Sequence, residues 1–527
     1  MIVCCTSCQK DIFFLSEDNN VNSIIPAYSF NSIDLTTIPN AVIGEQMPNP
    51  LEVENLRHAF QALSPQTKNS FSDNLIRATH KYIAFTPTSV AEQAVIQSLD
   101  NNADITLYYY PIDYEVSDGW ITPDDRFMTN GFSYIWAYIP IDYDMNTIDC
   151  PYIYYYDICN IEDSCYNTPI TNECIVKLLS KSYELCGKKL PQTVQTKAGV
   201  HPSGYVKFYD TDYSTFRAVD GFKVRAVRGL HECWMNCNSS GYFFGSDTFQ
   251  YAFSYEFMFR RDYFEIRRDG ENSFAIIKLS NQTGPVNVNF QDEESCFMAT
   301  IDRAAIKYYY GNIFNLRRPP IPSGTLYRPI LYAMLDNSTT RVEMGRFTVE
   351  YFPLLYSRPI IYLYDRFNSI LATRQAIYKT TIYELAISSL WADNSLFDSI
   401  DDIVKTSYAK GIEWALTKEE YPSDYTPSYH RCLYTGVVQD LVDNPVSPLK
   451  ECSYYFKLNG SGVWEEYSGY LTYNDYTSGI SLLDIESAAR DNYTWNSFKI
   501  ELKSIYVSQQ NNIDQTFQYW NTTMPYN

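Results

Sequence analysis

RQAIYKTTIYELAISSLWADNSLFDSIDDIVKTSYAKGIEWALTKEEY, residues 374–421, is the stretch on which the reading of the chain turns. It reads as two helices. Within the first, Tyr383 and Ile387 stand four residues apart and therefore share one helix face, with Glu384 beside them. Residues before this stretch read as delivery and scaffolding.

The same i, i+4 spacing is how a zinc-protease helix presents two histidines, with the intervening glutamate polarising a metal-bound water. The segment Ile377-Tyr378-Lys379-Thr380-Thr381-Ile382-Tyr383-Glu384-Leu385-Ala386-Ile387, followed by Thr406-Ser407-Tyr408-Ala409-Lys410-Gly411-Ile412-Glu413-Trp414, resembles uncharacterised surface lipoproteins of Bacteroidota bacteria. Their phrases are close to I-Y-x-T-T-I-H-E-L-A-H and E-S-W-A-x-G-V-x-W. The resemblance implies a zincin-like fold with ligand positions at 383, 387 and 406 and a general base at 384. Only Glu384 keeps the required identity. Isoleucine has no lone pair, threonine is a poor zinc ligand, and a phenol with a pKa near ~10 stays protonated at neutral pH. Without zinc, a water keeps a pKa of about 15.7 rather than about 7, and a lone carboxylate gains little against it. The expectation is a metalloprotease-like module that has lost its metal, with Tyr383, Glu384, Ile387 and Thr406 as vestigial positions. An ordinary buried helix without protease ancestry is the alternative, and it too denies catalysis.

With 527 residues the chain is too long for one core and suits three or four domains. Its formal charge of −21 leaves nothing to neutralise phosphates, which argues against nucleic acid and against an anionic membrane surface. No apolar run is long enough for a transmembrane helix. At the start, Thr6-Ser7-Cys8 resembles a lipoprotein cleavage box and Gln9-Lys10-Asp11 the charged signal that sends such proteins to the outer surface. Lipidated Cys8 at the extracellular face of the outer membrane is the expectation; a metal-binding Cys4-Cys5-x-x-Cys8 cluster is the alternative. Five of the 13 cysteines (150, 159, 165, 174 and 186) lie close together, and in an exported protein they imply one or two disulfides.

Residues 12–50 lack periodicity, carry Pro26, Pro39, Pro48 and Pro50, and suit a tether. Val53, Leu56, Phe60 and Leu63 give a helical rhythm, and a second short helix is expected at 71–76. Next, residues 78–87 and 105–116 read as strands around a helix at 89–99, a small α+β unit. Their texts, ATHKYIAFTP and ITLYYYPIDYEV, again resemble the lipoproteins. His80 reads as a packed or half-exposed strand histidine or a site residue, Asp113 and Glu115 as solvated edge charges or site residues. From 204 to 268 the pattern becomes period two, with apolar and basic side chains on opposite faces in residues 222–228. Together with Gly241-Tyr242-Phe243 and the strand at 255–259, this is similar to a carboxypeptidase-regulatory-like β-sandwich. His231-Glu232-Cys233 with Cys237 is a weak metal pattern or a strand-connecting loop with thiols or a disulfide. Residues 299–311 form a helix with a glycine cap, Arg318-Pro319-Pro320 stops it, and strands follow at 326–335, 346–351 and 360–364. After residue 231 the only histidine is His430. Strands at 454–458 and 463–467 and helices at 481–489 and 495–502 close the chain.

The expected fold class is α+β and multidomain: signal remnant and tether 1–50, α+β module 51–195, β-sandwich 196–270, mostly helical zincin-like domain with a small sheet 271–440, and a β/α segment 441–527. The expected function is a non-catalytic surface lipoprotein, a pseudo-metalloprotease that binds a protein, peptide or glycan, with no cofactor and no metal. Its many tyrosines suit an adaptable contact surface or the core. Two alternatives remain: an active metal-dependent peptidase with displaced ligands among Glu384, Asp393, Asp401 and Asp402, or a virion or cell-surface structural protein unrelated to proteases.

Overall fold

The computed structural model describes residues 31–64, 76–161, 172–189, 199–322, 327–335, 344–352, 357–367, 370–392, 397–422, 436–442, 451–458, 464–471, 477 and 479–523. The chain is mixed α+β and multidomain-like, with ten helices among the described residues. Cys8, Cys165, Asp393, His430 and most of the short helix expected at 71–76 lie outside the described residues.

The period-two stretch builds two sheets packed face to face. In the first, Ser203–Asp210 pairs with Thr215–Ala218 and, in parallel, with Val286–Phe290, which pairs in parallel with Asn31–Leu35. The second runs His231–Asn236, Lys223–Arg228, Phe253–Met258, Ile276–Gln282, Gly119–Trp120. Alternation sends Val224 and Phe257 inward to meet Val206, Phe208 and Val288 in one core. Strands of residues 196–270 thus pair with partners outside that span. Residues 31–46, expected as tether, instead supply one strand here and another, Ile43–Gln46, that pairs with Tyr114–Val116. Backbone pairing satisfies these polar segments, a contribution that side-chain periodicity does not reveal.

The outer face of the second sheet is covered, which changes the expected basic face. Arg225 is fully buried, with Glu256 at 3.1 Å, Glu232 at 2.7 Å and the Tyr108 ring centroid at 4.9 Å. The cover is an antiparallel sheet in the order Tyr152–Ile158, His80–Phe85, Ile135–Pro140, Thr106–Tyr108. Its Tyr82, Tyr108 and Tyr138 face Val227 and Met258, while Ile83, Phe85 and Leu107 face the other way with Ile96 of the helix Val90–Ser98. The single strand expected at 105–116 is broken, since Pro111 has no N–H for a ladder. Asp113 is therefore no edge charge: it is buried and accepts from the Tyr82 hydroxyl at 2.8 Å and Gln46 Nε2 at 2.7 Å, whereas Glu115 is exposed.

A third sheet holds Glu265–Arg268, Ile330–Met334 and Ser357–Tyr364 in parallel, with Gly345–Tyr351 antiparallel at the edge. Long helices Glu293–Tyr310, Arg374–Ala392 and Asp402–Glu420 pack with it, and their core is continuous with that of the facing sheets. No gap in that core falls at residue 270. Asp292 caps the first of these helices by accepting from Ser295 N–H at 3.0 Å. Gly311 ends it with right-handed φ of −71°, and the left-handed turn falls on Asn312 at φ 46°. The chain closes with a hairpin, Glu451–Leu458 with Trp464–Leu471, and the helices Leu482–Asp491, Trp495–Ile505 and Gln510–Thr523, the last without a sequence expectation.

Candidate functional site

The helix Arg374–Ala392 has no solvent face over most of its length. Residues 374–386 and 388–390 are all buried. Such a helix is normally apolar all round, yet this one buries Lys379, Thr380, Thr381, Glu384, Ser388 and Ser389. Its N-terminus is held by Thr373 Oγ1, which accepts from Ala376 N–H at 3.2 Å, and by Asp212, whose carboxylate accepts from Gln375 N–H at 2.5 Å. Arg374 forms a two-pronged pair with Glu293 at 2.7 and 2.8 Å, tying this end to the neighbouring helix.

The helix Asp402–Glu420 lies directly against it. Its C-terminal end is fixed to the first sheet: Glu420 pairs with Arg217 at 2.5 Å and with Arg303, and the Tyr421 hydroxyl donates to Asp210 at 3.1 Å. At Gly411 the close approach of Val438 leaves no space, since a Cβ there would stand 2.0 Å from Val438 Cγ1. This glycine seats the short helix Val437–Val442.

The residues expected at the site divide between two faces. Tyr383 is buried toward the second helix, with Lys410 Nζ 5.1 Å from its ring centroid. Glu384 turns instead toward the edge strand: a Cβ on Gly345 would stand 2.8 Å from both its Cγ and its Oε1. Ile387 is half-buried against the core, and Thr406 is half-buried with its hydroxyl donating to the Asp402 carbonyl at 2.7 Å. Asp401 and Asp402 are exposed at the start of the second helix, where Asp401 accepts from Trp495 N–H at 3.0 Å and Asp402 pairs with Lys405 at 2.8 Å. Among the described residues no group of three or more His, Cys, Asp or Glu is arranged to hold a metal ion.

Charges occupy the face between the helices. Lys410 Nζ donates to Glu413 Oε2 at 2.9 Å, with both residues buried. Lys379, fully buried, is pushed down to about 7, first by burial; Glu413 opposes that shift and Lys410 adds to it. None of these three was singled out in the sequence. The signal was present, because Lys410 and Glu413 form an i, i+3 pair inside a helix otherwise rich in Ile, Trp, Ala and Leu.

Elsewhere, His80 is half-buried on its strand with Nδ1 2.9 Å from Thr79 Oγ1. His231 is largely exposed and stacks on Phe249, while Cys233 and Cys237 are buried thiols of the core, so the three form no cluster. Cys150, Cys159 and Cys186 are buried and Cys174 is exposed, and no disulfide joins any two of these four described members of the cysteine cluster. Tyrosine serves both inside and outside: Tyr82, Tyr255, Tyr309, Tyr378 and Tyr408 are among the largest fully buried side chains, whereas Tyr152, Tyr154, Tyr213 and Tyr351 are exposed. No helix among the described residues is long and apolar enough to cross a membrane. No protein-family model, curated protein or solved structure matches this chain, and the site is read from its own geometry.

Proposed function

We propose that the chain is a non-catalytic, protease-like surface protein that acts by binding rather than by hydrolysis. The observation that carries this reading is the buried Lys410–Glu413 pair, with its ammonium set over Tyr383 on the face where a zinc ion would need imidazoles. A divalent cation there would meet a fixed ammonium in a poorly solvated space, and repulsion between like charges is strongest where water is excluded. Glu384, the one residue that keeps the protease identity, lies against the Gly345 strand, whereas Tyr383 faces Lys410. Burying so much polarity in a central helix costs stability, and a helix inherited from an active site accounts for that cost.

In this reading the two facing sheets are a carboxypeptidase-regulatory-like spacer and residues 271–440 a degenerate zincin-like unit. The Thr6-Ser7-Cys8 box and Gln9-Lys10-Asp11 support a lipid anchor at the outer surface. Peptide-library hydrolysis by the full chain and its Glu384→Gln variant tests the central point. Both are expected to match the buffer blank; hydrolysis lost in the variant and on chelation would establish a working peptidase instead. Mass spectrometry of the native N-terminus tests the anchor: a diacylated Cys8 is expected, and an unmodified Met1 contradicts it.

A further inference from the structure

The tyrosine-bearing sheet does not close completely onto the sheet that it covers. Between them lies a cleft of about 350 Å³, within the range of small-molecule sites. Its walls carry five tyrosines, Tyr108, Tyr110, Tyr114, Tyr138 and Tyr183. Three of these rings are held by hydrogen bonds of their hydroxyls. The Tyr108 hydroxyl donates to the Gly229 carbonyl, that of Tyr110 to buried Glu256, and that of Tyr138 accepts from Asn49 Nδ2 at 3.1 Å. With their hydroxyls so engaged, rings of this kind offer a preorganised stacking surface.

Among the described residues that line the cleft the charged ones are Lys188, Arg228 and Lys278, all basic, in a chain whose formal charge is −21. Lys278 Nζ is held by the Val116 carbonyl at 2.9 Å and by Ser280 Oγ, and the carboxylate that it meets among the described residues, Asp118, is 4.0 Å away and half-exposed. Burial holds the pKa of Lys188 below the usual lysine value, and the side chain feels the carboxylates of Asp113 and Glu115 at longer range. The Arg228 guanidinium rests 4.5 Å from the Tyr251 ring centroid. Ser254, Ser280 and Asn281 add amide and hydroxyl groups to the lining.

We infer that this cleft binds a small hydroxylated carboxylate, an acidic sugar being the simplest member of the class. Its carboxylate sits among Lys188, Arg228 and Lys278, its ring lies on the tyrosines, and its hydroxyls meet the amides and hydroxyls of the lining. A wholly apolar ligand would strip water from three cations without replacing it. An inorganic anion would answer the charge and leave the aromatic walls in contact with nothing. The site is separate from the central helices and stands whether or not the pseudo-enzyme reading does.

Calorimetric titration of the full chain with glucuronate, glucose and inorganic phosphate tests it. Glucuronate is expected to bind, with glucose and phosphate each at least about tenfold weaker. Lys188→Gln and Arg228→Gln are each expected to weaken glucuronate about tenfold, the size of a lost charge-assisted hydrogen bond, and Lys188→Gln to do so with unchanged thermal unfolding. Lys188 is part-exposed, so its variant keeps the fold. Absence of glucuronate binding at millimolar concentration, equal binding of glucose or phosphate, or indifference to both substitutions would overturn the assignment.

Discussion

Lys410 and Lys278 are equally buried, each 6 % exposed, and the protein treats them in opposite ways. Lys410 has a carboxylate at 2.9 Å inside the helix pair, and the face around it is filled by protein. Lys278 has a carbonyl and a hydroxyl for partners and looks into an open, tyrosine-lined cleft, with the Asp118 carboxylate 4.0 Å away at the rim. A close carboxylate partner makes the first region a sealed core; cations grouped on an open wall, with a carboxylate only at 4.0 Å from Lys278, make the second a place for a ligand. The helix pair proposed to be protease-like is thus the better closed of the two, and the more open site lies elsewhere in the fold.

The comparison can be broken most forcefully at Glu413. Glu413→Ala leaves Lys410, and Lys379 near it, buried without their carboxylate, and such a loss typically costs about 3–5 kcal/mol. Denaturant unfolding should register it, and an effect near zero would mean that the helix pair is open to water. Gly411→Ala should come next, at about 1–3 kcal/mol, because the new methyl would collide with Val438 and force the short helix away. Lys379 gives a signature in pH. Its folded pKa, near 7, lies below the unfolded value of 10.5, so over that interval the unfolded chain binds the additional proton and stability rises with pH. Relative to a Lys379→Met variant, the wild type should gain roughly 2 kcal/mol between pH 7 and 9. Asp302 and Glu271, each raised to about 7 by burial, change over a lower interval and act alike in both proteins. The smallest effect is expected in the cleft, where Lys188→Gln should shift stability by less than about 0.5 kcal/mol. A large loss there would make Lys188 structural and erase the contrast.

Much of the helical part was legible from residues, since the two helices read within 374–421 form at Arg374–Ala392 and Asp402–Glu420, and the strands leading to them form as well. The expected strand–helix–strand unit also forms around Val90–Ser98. Long-range pairing was not legible: nothing in Asn31–Leu35 says that it will run parallel to Val286–Phe290. Asp113 was misread for a related reason, because a buried carboxylate and a solvated one look alike until the Tyr82 hydroxyl is placed against it. At the site, Tyr383, Ile387 and Thr406 could be read from the sequence as side chains that do not suit zinc, while the ion pair of Lys410 and Glu413 was passed over in an apolar helix. The cleft was invisible altogether, since Lys188, Arg228 and Lys278 are far apart in sequence and no local spacing joins them.

The most direct test is the zinc content of the purified full chain after equilibration with zinc and removal of the excess. A face held by its own ammonium and carboxylate predicts no zinc above background. One zinc per chain, retained by the wild type and lost on Glu384→Gln or with a chelator, would contradict the account.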